Sequence, residues 1–132
     1  MKSEKKRDKT TEDYLEAMLI LKEKNGYVRS IDVAALLNVT KPSVTYTTKR
    51  LRERGLITMD HDNLIQITDE GLEIANRTYK RHIILKNFFM RLGVSDEIAE
   101  DDACKVEHDL SNETFDALCA HVEKYAPLNN EK

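Results

Sequence analysis

The chain has 132 residues, of which 34% are charged and 40% belong to the hydrophobic set, with only four Gly and two Pro. No apolar run approaches the ~20 residues of a membrane span, and so few Gly and Pro exclude a disordered linker and a turn-rich β sandwich. Two cysteines, Cys104 and Cys119, are too few for a disulfide framework. With no apolar segment near Met1 to suggest secretion, the expected setting is the reducing cytoplasm, with no membrane partner. The net charge of −3 hides an asymmetry. Residues 1–55 carry 13 Lys/Arg and 8 Asp/Glu, whereas residues 56–132 carry 8 and 16. A basic front half and an acidic back half suggest two jobs in one chain.

In chain order, a charged tail over residues 1–9 precedes a helix over about 10–24, capped by Thr10 or Thr11 and stopped at Asn25-Gly26. Ser30 is expected to cap a short second helix containing Ile31, Val33, Ala34, Leu36 and Leu37. After the Asn38-Val39 turn, Thr40 caps a third helix with Pro42 in its first turn, where a missing N–H costs little. Gly55 ends that helix. Two β-rich runs, 56–59 and 64–67, flank the turn-forming cluster Asp60-His61-Asp62-Asn63 and predict a hairpin. Thr68 and Gly71 start a long fourth helix, about 69–92, that Gly93 ends. Ser95 caps a fifth helix running to about Leu110, and Ser111 a sixth running to about Tyr125 before Pro127.

The expected fold is mainly α, an N-terminal winged helix-turn-helix with a two-stranded wing over residues 1–72. A helical domain over 73–132 follows it. Exposed positions on the third helix include Lys41, Ser43, Thr45, Tyr46, Thr47, Lys49, Arg50 and Arg52. Short hydroxyls permit close approach to a major groove, and Lys41 with the basic residues from Lys49 to Arg54 neutralises phosphate. The alternative is a solvated helix with a capping Thr. Its place between a short turn and a hairpin favours DNA reading. Asp60 and Asp62 would repel phosphate, so weak wing contact is expected, through His61 and Asn63.

In the acidic half, Cys104, Glu107 and His108 stand at i, i+3 and i+4, on one helical face, with Glu100 one turn earlier. A thiolate, a carboxylate and an imidazole converging suit a divalent transition metal. Asp13 and Glu16 share a face of the first helix, and His82 lies within the fourth. Each also has a structural reading. Cys104 could be a buried small hydrophobe, Glu107 and His108 a wet surface pair, Asp13 a helix-start acid and His82 one more basic neighbour of Arg81.

Four stretches, 10–16, 42–45, 81–82 and 102–108, in this order resemble the diphtheria-toxin-repressor family of metal-dependent regulators, which includes the manganese-transport regulators. The resemblance covers about Thr10 to Tyr125. It implies a cytoplasmic homodimer that represses metal-uptake genes at a palindromic double-stranded DNA operator when Mn2+ or Fe2+ binds. Zn2+, Co2+ or Ni2+ could substitute in vitro. It implies metal ligation by Asp13, Glu16, His82, Cys104, Glu107 and His108, with DNA contacts from Thr40, Lys41, Pro42, Ser43, Thr45, Tyr46, Lys49 and Arg50. Cys104 stands where the manganese branch has a carboxylate and the iron branch a cysteine. Glu100 and Lys86 stand where the iron branch uses a histidine and a glutamate at an ancillary site, which puts that site in doubt here. Longer members add an SH3-like domain, and a chain ending at Lys132 is expected to have the short architecture. No catalysis and no small-molecule substrate are expected. The rival readings are a winged-helix regulator without metal control, a small metalloenzyme using Glu107 or Asp13 as base, and an adaptor module. No HExxH pair supports an enzyme.

The dimer is expected to form through helices four to six. Residues 83–85 and 88–90, with Phe115, Leu118 and Val122, offer more apolar surface than one core stripe needs.

Overall fold

A computed structural model describes residues 8–125, which divide into two compact units, Asp8–Arg77 and Thr78 onward. The expected charged tail lies largely outside the described residues, as does Pro127.

The first unit opens with α1 (Lys9–Asn25). Its cap is Asp8, not Thr10 or Thr11: the Asp8 carboxylate accepts from Thr10 N at 3.1 Å and from the Thr11 hydroxyl at 2.7 Å. An anionic acceptor also suits the positive end of the helix, which explains why it prevails over the threonines. Gly26, at φ 85°, supplies the left-handed C-terminal turn. Next come α2 (Ser30–Leu37) and α3 (Lys41–Glu53). Ser30 is the first residue of α2 rather than its cap, and the capping residue Arg29 makes no side-chain bond. Thr40 caps α3 as expected, accepting from Ser43 N at 3.2 Å. Val44, Thr48 and Leu51 recur at helical spacing and are buried, so the rest of α3 faces outward. They join Leu15, Met18, Val28, Val33 and Ile57 in the interior.

Strands β1 (Ile57–Met59) and β2 (Ile65–Ile67) pair antiparallel, with Ile57 opposite Ile67 and Met59 opposite Ile65. Ile65 N also donates to Val28 O, and Arg29 bridges to Leu64, which ties the hairpin to the segment entering α2. The Asp60 carboxylate accepts from the backbone N–H groups of Asp62 and Leu64 at 2.8 and 3.0 Å. The N–H of Leu64, above all, holds that carboxyl below the usual carboxylate range. Asn63 takes the left-handed position at φ 64°.

Helix α4 (Asp69–Arg91) begins where Gly71 N bonds to the Thr68 hydroxyl. The second unit comprises its later part with α5 (Asp96–Val106) and α6 (Asn112–Tyr125). Ser95 and Ser111 accept from Ile98 N and Thr114 N, capping α5 and α6. Leu85, Ala103 and Phe115 centre the core, with Ile84, Phe89, Val106, Leu110, Leu118 and Cys119 packed against them. Phe115 and Val122, expected to enlarge an interface, are buried in this unit instead. Among the described residues, Ile83, Met90, Leu92, Ile98 and Tyr125 are large hydrophobic side chains left exposed on it.

The α5 helix also stops four residues before the expected Leu110. The cause is a buried cation on α4. Arg81, 5% exposed, donates to Glu107 O at 3.0 Å, to Leu110 O at 2.8 Å and to Asn112 Oδ1 at 2.7 Å. Carbonyls that end a helix lack intrahelical partners, and the guanidinium supplies them. Its carbon lies 4.8 Å from the Phe115 ring centroid. The turn between α5 and α6 is thus clamped to α4.

Candidate metal centre and DNA-reading helix

The clamp determines where Glu107 and His108 stand. Glu107 keeps helical backbone geometry, its N–H bonding to Ala103 O, so the one-face relation of Cys104 and Glu107 survives the end of α5. Glu107 is 1% exposed and His108 7%. From α4, His82 meets them. Its Nδ1 lies 2.9 Å from Glu107 Oε1 and 3.9 Å from Cys104 Sγ, and its Nε2 lies 3.0 Å from Glu100 Oε1. His108 Nε2 is 3.3 Å from Glu107 Oε2. Lys86 extends the chain of charges, with Nζ 3.1 Å from Glu100 Oε1 and 3.3 Å from Asp96 Oδ1.

Cys104 Sγ, then Glu107, push the His82 pKa up to about 11, against burial and with help from Glu100. Burial works to raise Glu100, but hydrogen bonds from His82 and Lys86 outweigh it and hold that carboxyl below its usual value. Glu107 Oε2 is fully buried and accepts no hydrogen bond among the described residues. A buried anionic oxygen without a donor is costly, and a cation would satisfy it. One ligand atom each from His82, Glu100 and Cys104 lies within 4.8 Å of the others. His82 and Cys104, with the buried Glu107 carboxylate against His82 Nδ1, supply the imidazole, thiolate and carboxylate of a donor set for a divalent transition metal.

Asp13 and Glu16 belong to α1 in the first unit. Asp13 is half-buried, with Oδ2 3.3 Å from Lys9 Nζ, and Glu16 is buried. By sequence alone Arg81 is only a basic neighbour of His82. Its hydrogen-bond partners lie 26 to 31 residues away, beyond any local pattern.

In the first unit, Thr40, Lys41, Pro42, Ser43, Thr45, Tyr46, Lys49 and Arg50 are all exposed, whereas Val44 and Leu51 are buried. Tyr46 is 63% exposed, and Arg50 Nη1 donates to its hydroxyl at 3.3 Å. Arg54, expected among the phosphate-neutralising residues, instead donates to Thr11 Oγ1 at 2.8 Å and lies 3.7 Å from Asp8. It ties the end of α3 to the start of α1.

A helix-turn-helix followed by a paired wing, with a reading helix whose outer face is basic and hydroxylated, defines a winged-helix transcriptional regulator. The comparisons narrow this. Residues 8–63 match the family model described as the iron dependent repressor N-terminal DNA binding domain, and residues 68–126 its metal binding and dimerisation domain. A curated relative, the transcriptional regulator MntR of Escherichia coli O6:H1, is 40% identical over 114 residues, covering 86% of this chain and 74% of its own. The IdeR crystal structure from T. acidophilum matches with a TM-score of 0.77 and 25% identity over 90% of this chain. A manganese-dependent transcriptional repressor in complex with manganese matches with the same score and identity over 86%. This chain spans 55% and 52% of those two structures' lengths. The chain belongs to the iron-dependent repressor family: it is a metal-dependent, DNA-binding transcriptional regulator and not an enzyme. Among the described residues no helix is long and apolar enough to cross a membrane.

Proposed function

We propose that this chain is a cytoplasmic repressor of metal-uptake genes, activated by Mn2+ or Fe2+. The observation that carries the reading is the run of contacts from Cys104 to His82, from His82 to Glu107 Oε1 and from His108 to Glu107 Oε2, a buried oxygen that accepts no hydrogen bond among the described residues. In this reading those four residues hold the metal. Asp13 and Glu16 join them on the strength of the sequence resemblance alone. A bound metal would supply positive charge beside these acids, and His82 would release a proton to hold it. The thiolate favours Fe2+, Co2+, Ni2+ or Zn2+, whereas the carboxylates suit Mn2+, so cellular availability decides. DNA is read by the exposed face of α3, with residues 1–72 as the DNA-binding domain and 73–132 as the metal-binding and dimerisation domain. A C2 dimer presents two such helices about one DNA turn, ~34 Å, apart, and therefore takes a palindromic operator.

The test is operator binding titrated anaerobically with Mn2+, Fe2+ and Zn2+. Metal is expected to tighten operator binding roughly 5- to 150-fold, the range of a 1–3 kcal/mol coupling. Asp13→Ala is expected to retain metal binding and lose most of that gain. Operator affinity that is the same with and without every metal overturns the reading in favour of a regulator without metal control.

A further inference from the structure

We propose that Glu100, held in place by Lys86, is a positioning residue that sets His82 in the tautomer whose Nδ1 faces the metal. The inference rests on the reading of His82, Cys104 and Glu107 as ligands, and adds a residue that does not itself ligate. The two ring nitrogens of His82 have different surroundings. Nδ1 points at Glu107 Oε1, 2.9 Å away, with Cys104 Sγ at 3.9 Å. Nε2 points at Glu100 Oε1, 3.0 Å away. Glu107 is 1% exposed, whereas the Glu100 side chain is 49% exposed, at the rim.

A carboxylate can only accept, so in the metal-free site both nitrogens carry protons, Nδ1 toward Glu107 and Nε2 toward Glu100. A metal on the side of Cys104 and the buried Glu107 would take the place of the Nδ1 proton, leaving the Nε2–H on Glu100. Hydrogen bonds of this kind fix the ring of a metal-bound histidine and raise its basicity. Glu100 is suited to that task because its own position is fixed. The oxygen that faces His82 also takes the Lys86 ammonium at 3.1 Å, and Lys86 is anchored to Asp96 at 3.3 Å. The same contacts argue against Glu100 as a ligand. A metal on Oε1 would displace one of two hydrogen-bond donors and stand beside a fixed ammonium.

The experiment uses the full chain with 15N-labelled histidine and Zn2+, which is diamagnetic, and reads the His82 tautomer from two-bond 1H–15N correlations. Nε2 is expected to be protonated and Nδ1 metal-bound. Glu100→Ala is expected to lose about 10- to 100-fold in metal affinity, the usual cost of removing such a partner. The absorption bands of its Co2+ form should be unchanged, because the ligands are unchanged. Glu100→Gln keeps an oxygen that can accept from Nε2 and should recover part of the loss, and Lys86→Met should lose less than Glu100→Ala. A metal on Nε2 overturns the proposal. So does a Co2+ spectrum altered by Glu100→Ala, which would make Glu100 a ligand, or an affinity that Glu100→Ala leaves unchanged. Failure of the wild-type chain to take up any metal instead overturns the site reading on which the proposal stands.

Discussion

Arg81 donates to the backbone carbonyl of Glu107, while the side chain of that same glutamate faces His82, the next residue after Arg81. One helical position thus holds the backbone of the residue whose carboxylate the next position engages. Replacing Arg81 with Met removes the donor in the buried bond to the Glu107 carbonyl, at about 1–3 kcal/mol for that one buried group, and also the bonds to Leu110 O and Asn112 Oδ1 nearer the surface. Thermal unfolding by circular dichroism should show a lower melting temperature for Arg81→Met, and metal affinity should fall with it because Glu107 and His108 lose their support. A variant with wild-type melting and wild-type affinity would show that the clamp is dispensable.

The pH response follows from His82. Its folded-state value, about 11, stands above the ordinary 6.5. A group raised on folding stabilises fully below its unfolded value, and that contribution is lost as pH rises through the folded one. The metal-free protein should therefore lose stability progressively between about pH 6.5 and 11 on this account. Metal affinity should run the other way. Metal must displace a proton from His82, so affinity should rise with pH over the same window, about tenfold per unit for each proton released. Melting curves and metal titrations at pH 6, 7.5 and 9 check both signs, and affinity independent of pH would remove His82 from the ligand set.

Cys104 should tune metal choice. Its side chain is exposed at the edge of the His82 and Glu100 group, so replacing it should not disturb the core. Cys104→Glu should lower the preference for Zn2+ over Mn2+ in competition titrations, since it exchanges a soft donor for a hard one. A folded Cys104→Ala variant with unchanged affinity for every metal would show that the sulfur is not a ligand.

On α3, Lys49 and Tyr46 should separate by their effect on DNA. Lys49 is exposed with a charge suited to phosphate, and Lys49→Ala should weaken binding to all sequences and flatten the salt slope by about one unit. Tyr46→Phe removes the hydroxyl that Arg50 uses and should change sequence preference instead. Binding measured on several operator variants at three salt concentrations separates the two. A Lys49→Ala protein with altered preference and an unchanged salt slope would reverse the assignment.

Gly71 tests the junction of the wing with α4. A Cβ at that position would collide with Leu56 O and press on the Ile67 side chain. Backbone cannot yield as a flexible side chain can, so Gly71→Ala should cost about 1–3 kcal/mol in denaturant unfolding. An unfolding midpoint equal to wild type would mean that the close approach is not maintained in solution.

Much of this protein is legible in short stretches of sequence because the physics there is local. Gly26, Gly55 and Gly93 stand at positive φ where helices stop. Thr40, Ser95 and Ser111 bond to backbone N–H groups three residues on. The Asp60 to Asn63 turn closes through its own side chain and backbone. The alternation of Val44, Thr48 and Leu51 separates the inner face of α3 from its reading face. Spacing also brought Cys104 and Glu107 to one face, since Glu107 retains helical geometry after α5 has ended. Other features depended on contacts between distant parts of the chain. The end of α5 depends on a guanidinium 26 residues before Glu107, and the burial of Phe115 depends on Leu85 and Ala103. Which face each nitrogen of His82 presents is decided by α4 lying against α5, with Glu100 and Glu107 on opposite edges of one ring. Caps and turns are written in the residues that form them. A histidine's two edges acquire different chemistry only when packing brings a different partner to each.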